Sequence, residues 1–362
     1  MKKKIDWGYL ASLALAVALA LLVGAAIMAV TGHDPLAAYR ELVKGATGCR
    51  SWGDLLHLFT KRQFGNTVEY AMVLFLTGLA CAIGARVGIF NVGGEGQLYL
   101  GAIVSAYIGA KLANGSALTV IPLAAAAAMA VGGLYAFIPG VLKVKLKVNE
   151  VITTIMMNSI AIHFCAYLSN GPWKTTQGNR VSGTDTLAAH LQFDKLIRGS
   201  NLTTAIFASA IIALAIWYVM AKTTKGYEMR LIGGNPRFAR FSGLPVDRTV
   251  MLTMAVSGAL CGLVGMFEVY GLKGNYQDGI SNEYYFDGLL VAMIMRYKPV
   301  GIIVMSFAFA FLKVGAAGME LNAGVPGELY RIIQAVIIFF LAAQSGVKAI
   351  LAQKGKGGSA NG

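Results

Sequence analysis

Ten apolar runs succeed one another along the chain: Tyr9 to Val30, Val68 to Ala85, Gln97 to Leu112, Leu118 to Leu142, Val151 to Leu168, Thr203 to Met220, Thr249 to Tyr270, Phe286 to Met295, Val300 to Gly318 and Leu329 to Gln344. About 20 apolar residues carry an α-helix across the ~30 Å hydrocarbon core of a bilayer. Only 13% of the residues are charged, where a soluble domain has about a quarter, and the mean hydropathy is +0.63. The expected fold is an all-α polytopic membrane protein with about ten transmembrane segments. Phe286 to Met295 is too short for a full span, since ten residues reach about 15 Å. It reads as a half-helix, a re-entrant piece or a tilted remnant.

Lys2, Lys3 and Lys4 precede the first run, whose length exceeds the roughly 7–15 residues of a signal-peptide core. An uncleaved first span with a cytoplasmic N-terminus follows, and ten crossings return the C-terminus to the same side. That threading puts Lys143, Lys145, Lys147, Lys222, Lys225, Arg230, Arg237, Arg240, Arg248, Arg296 and Lys298 inside, as the positive-inside rule expects. Lys61, Arg62 and Arg198 fall on the other side, against the trend. The net charge of +14 is thus explained by the membrane rather than by nucleic acid. Ten crossings also divide into five plus five, and an odd number per half inverts the second half relative to the first, the topology of an inverted-repeat transporter. His33 to Asn66 reads as an external loop with a surface helix over Leu36 to Val43. Pro122 and Pro139 mark kinks or ends. One transmembrane domain is expected over 1–346, with a disordered, Gly/Ser/Lys-rich cytoplasmic tail over 347–362.

Between the second and third runs, Arg86-Val87-Gly88-Ile89-Phe90-Asn91-Val92-Gly93-Gly94-Glu95-Gly96-Gln97 interrupts the apolar pattern with glycines, amides and a carboxylate. Backbone that leaves a helix at membrane depth needs protein or a wet cavity to satisfy it. The stretch is therefore either a broken helix beside a polar pathway or a loop at the membrane surface. Most other ionisable residues in or beside the runs, Glu268 and Asp287 among them, fall near span ends within reach of interfacial water. Glu95 is the exception, as a brace for the break or a pathway residue. Asn149-Glu150 opens a span as a helix cap and first-turn carboxylate; Asn158, two turns deeper, either bonds a neighbouring helix or faces the pathway.

Chemistry is sparse. No G-x-x-x-x-G-K-[ST] loop is present, so any ATP is hydrolysed on another chain. His33, His57, His163 and His190 lack metal-ligand spacing, and G-x-S-x-G is absent. Cys49, Cys81, Cys165 and Cys261 form neither a disulfide framework nor a metal pair. An enzyme is not expected. In the cytoplasmic loop, Asn235-Pro236 starts and Gly243 stops a two-turn helix, shaped either to enter a groove of a soluble partner or to lie on anionic headgroups.

Asn91 to Gln97, Val148 to Asn158, Gly233 to Gly243 with Ser257-Gly258-Ala259-Leu260, Phe286-Asp287-Gly288 and Val325-Pro326-Gly327-Glu328-Leu329, in this order, resemble the permeases of bacterial ABC importers. The resemblance covers roughly Thr67 to Phe340 and is strongest to the nucleoside and simple-sugar branch of the ribose and branched-chain amino acid permease family. It implies a multi-pass subunit of the bacterial cytoplasmic (inner) membrane with no cofactor of its own. The implied partners are a second homologous permease, an ABC ATPase carrying ATP and Mg, and an extracytoplasmic substrate-binding lipoprotein. Asn91, Glu95, Gln97 and Asn158 then belong to the substrate pathway, and Arg230, Gly233, Asn235, Pro236, Ala239 and Gly243 to the element that couples to the ATPase. The alternative is a stand-alone secondary transporter or channel for a small polar solute. Two departures stand out. The family often has Ile-Gly-Ala-Glu-Gly-Gln where this chain has Val92-Gly93-Gly94-Glu95-Gly96-Gln97, an added glycine expected to soften the backbone. Arg296-Tyr297-Lys298-Pro299 places bulk and charge where small residues are usual.

Overall fold

The computed structural model of the chain describes residues 7–50, 52–175 and 183–340. The helices are α1 (Trp7–Val30), α2 (Pro35–Thr47), α3 (Arg62–Arg86), α4 (Gly94–Lys111), α5 (Ala117–Leu146), α6 (Glu150–Asn170), α7 (Ala205–Lys222), α8 (Thr224–Gly234), α9 (Pro236–Phe241), α10 (Val246–Glu268), α11 (Tyr284–Ile294) and α12 (Pro299–Ala323). The last described helix, α13, covers Leu329–Phe340. Short 3-10 segments lie at Trp52–Thr60 and Ala189–Leu191, and a π-helical turn, Val269–Lys273, extends α10. Among the described residues β-structure is confined to two isolated bridges. Six helices are long and apolar enough to cross a bilayer, namely α3, α5, α6, α7, α10 with its π turn, and α12; Leu15–Val30 of α1, α11 and α13 are shorter apolar helices. The protein is a multi-pass helical membrane protein. The expected tail over 347–362 and the end of the last apolar run, 341–344, lie outside the described residues.

Local signals set many of the boundaries. Asp34 caps α2 by accepting from Leu36 N at 2.9 Å, Pro35 follows it, and Gly48 ends the helix at φ 77°. The sequence-read surface helix is thus real and longer at its far end. Asn149 caps α6 as expected, accepting from Val151 N at 2.9 Å, and Lys143 bridges to Glu150 at 2.7 Å across the α5–α6 turn. Neither proline ends α5, which runs 30 residues through Pro122 and Pro139; transmembrane helices tolerate proline where neighbours satisfy the freed carbonyl.

The chain divides into two compact units. In the first, Met1–Thr67 with Phe309–Gly362, Met28, Ala38, Leu42, Ala316, Met319, Val325 and Leu329 form a core. A Cβ on Gly45 would lie 2.8 Å from Gly318 Cα, so α2 and α12 meet backbone to backbone. In the second, Val68–Ala308, α10 packs on both α4 and α5. A Cβ on Gly101 would lie 2.2 Å from Gly262 O, one on Gly258 2.3 Å from Gly132 O, one on Gly262 2.2 Å from Ala128 O and one on Gly265 2.1 Å from Leu98 O. Small residues serve here because lipid removes the hydrophobic drive between helices and leaves close van der Waals packing to hold them.

Candidate functional site

Helix α3 stops at Arg86 because Gly88 takes the left-handed conformation, φ 77°. Gly88 N donates to Ala85 O and Ile89 N to Gly84 O, both at 3.2 Å, the crossed pair that closes a helix on such a residue. The chain is then irregular until α4 begins at Gly94, and side chains from neighbouring helices satisfy it. Thr154 Oγ1 of α6 accepts from Val92 N at 3.2 Å. Asn158, also on α6, donates Nδ2 to Val92 O and accepts from Gly96 N through Oδ1, both at 2.8 Å. Asn91 is the hub. Its Nδ2 donates to Gln97 Oε1 at 2.9 Å and to Ser257 Oγ of α10 at 3.0 Å, while its Oδ1 accepts from Gly93 N at 3.0 Å and Gln97 Nε2 at 3.1 Å. Ser257 passes the link on to Ala80 O of α3 at 2.8 Å.

Glu95 ties this turn to α11. Its Oε2 accepts from Tyr285 N at 3.0 Å, at the positive start of that helix, and the Tyr285 hydroxyl donates to Asn91 O. The starts of α4 and α11 therefore adjoin. Asn91 and Gln97 are 1% exposed, Glu95 4% and Asn158 5%, so all four sequence-selected residues are buried and bonded within the protein. The added glycine has a physical reason other than softness: a Cβ on Gly94 would lie 2.1 Å from the Tyr285 ring. The family's alanine would collide with that tyrosine.

The α8–α9 loop sits directly beneath the break. A Cβ on Gly233 would approach Arg86 O to 2.2 Å, and Ala239 and Ile232 form a core with Val87, Ile89, Val246 and Met254. Asn235 caps α9 by accepting from Phe238 N at 3.0 Å, with Pro236 at the first helical position. Gly243 ends it at φ 78°, with Gly243 N on Arg240 O at 3.1 Å and Leu244 N on Ala239 O at 3.0 Å. Gly233 and Ala239 thus lie against the segment that leads to Asn91, the exposed Arg230 of α8 faces Arg86 at the end of α3, and Asn235, Pro236 and Gly243 are exposed and shape the loop. Phe241, 92% exposed, and Phe238 stand out from it.

The other corner departs from expectation in its backbone. Arg296 and Tyr297 both have positive φ, 51° and 57°, a conformation that costs a non-glycine residue free energy. They close α11 through Arg296 N on Met293 O at 3.0 Å and Tyr297 N on Ala292 O at 2.8 Å, and the Tyr297 ring meets Phe90 edge-on at 6.2 Å. Glu268 corrects the reading that put it in reach of interfacial water: it is 1% exposed and lies with Glu69, Lys273 and Tyr284. Glu69, 8% exposed, escaped notice in the sequence although a carboxylate inside an apolar run was the available signal. Ser257 and Tyr285 were also missed as partners of Asn91.

A family model described as the permease component of the branched-chain amino acid transport system matches residues 64–342. The chain belongs to this permease family. The guanosine ABC transporter permease protein NupP of Bacillus subtilis is 32% identical over 95% of this chain and 96% of its own length. The nucleoside ABC transporter permease protein NupB of Lactococcus lactis is 31% identical over 93% and 92%. The glucose ABC transporter permease protein TsgB13 of Haloferax volcanii is 31% identical over 90% and 85%. No solved structure matches the chain significantly. Among the described residues of this permease no three His, Cys, Asp or Glu side chains gather as metal ligands.

Proposed function

We propose that this permease is the transmembrane subunit of an ATP-driven importer and that its solute is a nucleoside delivered by an extracytoplasmic binding protein. The near-full-length likeness to two nucleoside permeases carries the reading. The chain lies in the bacterial cytoplasmic membrane as ten spans with both ends inside, one domain over 1–346 and a tail over 347–362. It pairs with a second permease and with ATPase subunits that bind ATP and Mg. In a five-plus-five inverted arrangement α4 and α11 are the third spans of their halves, which agrees with their adjoining starts.

The seating of α8–α9 on Val87 and Ile89 gives the mechanism its lever. Closure of the ATPase dimer moves the loop that holds Asn235, Pro236 and Gly243. Gly233 and Ala239 transmit that movement to the α3–α4 break, and the path beside the break switches sides. Asn91, Gln97, Asn158 and Glu95 shape that path by bracing it, each hydrogen-bonded within the protein in this conformation. ATP acts only through its unequal affinity for the two arrangements. The permease supplies no catalytic group; hydrolysis belongs to the partner.

Reconstitution with the partner ATPase and binding protein tests the proposal. ATP-dependent uptake of guanosine or adenosine should stop when the ATPase's P-loop lysine is replaced. Uptake that persists on an ion gradient without ATP would establish the stand-alone transporter instead.

A further inference from the structure

A cavity of about 620 Å3 opens between α7, α10 and the last turn of α3, with α8 at one end. Its walls include Ile216, Val219, Leu252 and Val256; its charged lining residues are Lys225 and Arg248, and Thr249 and Thr253 are its uncharged polar ones. Val219, Leu252 and Val256 are also exposed, so the cavity opens to the surface along the apolar stretches of α7 and α10. Exposed Trp217 and Tyr218 lie on the adjoining turn of α7, where aromatic side chains mark the level of the headgroups. Lys225 is paired with Glu228 at 2.8 Å, whereas Arg248 makes no ion pair among the described residues, so the rim is net positive.

We propose that this cavity seats an anionic phospholipid, with an acyl chain between α7 and α10 and the headgroup phosphate between Lys225 and Arg248. Apolar walls with basic residues at one end match that amphiphile, and basic pockets between transmembrane helices recognise anionic headgroups. A nucleoside fits poorly, because a polar solute needs several placed hydrogen-bonding groups, and apart from the two basic side chains this lining offers only the Thr249 and Thr253 hydroxyls among apolar residues. The site is therefore separate from the solute path, and it does not depend on which solute is carried.

Native mass spectrometry of the full-length chain in detergent, titrated with phosphatidylglycerol and with phosphatidylcholine of the same acyl chains, tests this. Phosphatidylglycerol should be retained roughly tenfold better. Lys225→Ala with Arg248→Ala should abolish the preference, and Val256→Trp, which fills the cavity and spares both charges, should reduce retention of both lipids. Millimolar inorganic phosphate should not displace the lipid. Equal retention of both lipids by the wild type, or unchanged phosphatidylglycerol retention in both variants, would overturn the proposal. Displacement by inorganic phosphate would reveal a free-anion site, and a lipid-free dimer that dissociates on Val256→Trp would show that a second copy covers the cavity; either result overturns it.

Discussion

Replacing Asn91 by alanine should destabilise the permease more than any exposed polar substitution of similar size. The variant strands two buried groups, the Gly93 N–H and the Gln97 side-chain amide. Ser257 is not counted, because its hydroxyl keeps its bond to Ala80 O. A buried polar group left unsatisfied costs about 1–3 kcal/mol, so the two together cost about 2–6 kcal/mol. Asn149→Ala is the internal reference, since it removes an exposed helix cap worth about 1 kcal/mol. The assay is unfolding of the purified chain in mixed dodecylmaltoside and SDS micelles, followed by tryptophan fluorescence. Adding Gln97→Leu to Asn91→Ala should recover part of the loss, because replacing both partners of a buried bond is cheaper than replacing one. If Asn91→Ala costs no more than Asn149→Ala, or if Gln97→Leu deepens the loss, the hub is not a brace.

Gly262→Leu should abolish monodisperse protein on size-exclusion chromatography, because even its Cβ would lie 2.2 Å from Ala128 O and overpacking alone costs about 1–3 kcal/mol; a folded, monodisperse variant would contradict the packing described. Asn235→Ala combined with Pro236→Ala removes the cap and the helix-starting residue of α9. Membrane levels should hold while ATP hydrolysis and solute uptake become uncoupled in proteoliposomes, and wild-type coupling would remove the loop from the mechanism. Phe241→Ala should leave stability within about 0.5 kcal/mol, since the ring is 92% exposed, yet reduce co-purification of the ATPase. Unchanged recovery of the ATPase would mean that Phe241 is not part of the dock.

Features with local causes were legible in the sequence. Asn149, the Asn235-Pro236 pair and Gly243 each act within a few residues, and the structure places them as caps and stops. The short element over Phe286 to Met295 was legible from length alone and appears as α11, Tyr284–Ile294. That the helix breaks between α3 and α4 was legible from the glycines and amides that interrupt the apolar pattern, although a surface loop would carry the same residues. What closes the break was not. Ser257 and Tyr285 reach Asn91 from 166 and 194 residues away, and no local pattern encodes such a meeting. Gly94 shows the same limit from the other side. Its sequence context suggests backbone freedom, whereas the space it leaves is filled by a ring far along the chain. Burial of Glu268 was hidden because position along a span says nothing about which neighbours wrap around it.

The glycine seam also constrains mechanics. Where Gly101, Gly132, Gly258, Gly262 and Gly265 bring main chains together, sliding one helix past another would drive carbonyl oxygens into Cα atoms with no flexible side chain between to absorb the shift. α4, α5 and α10 therefore behave as one solid block. A change of shape in this unit has to be taken up outside the seam, at the irregular joints around 87–93 and 274–283. Spectroscopic labels for following motion belong on those joints, with the block itself as the fixed frame of reference.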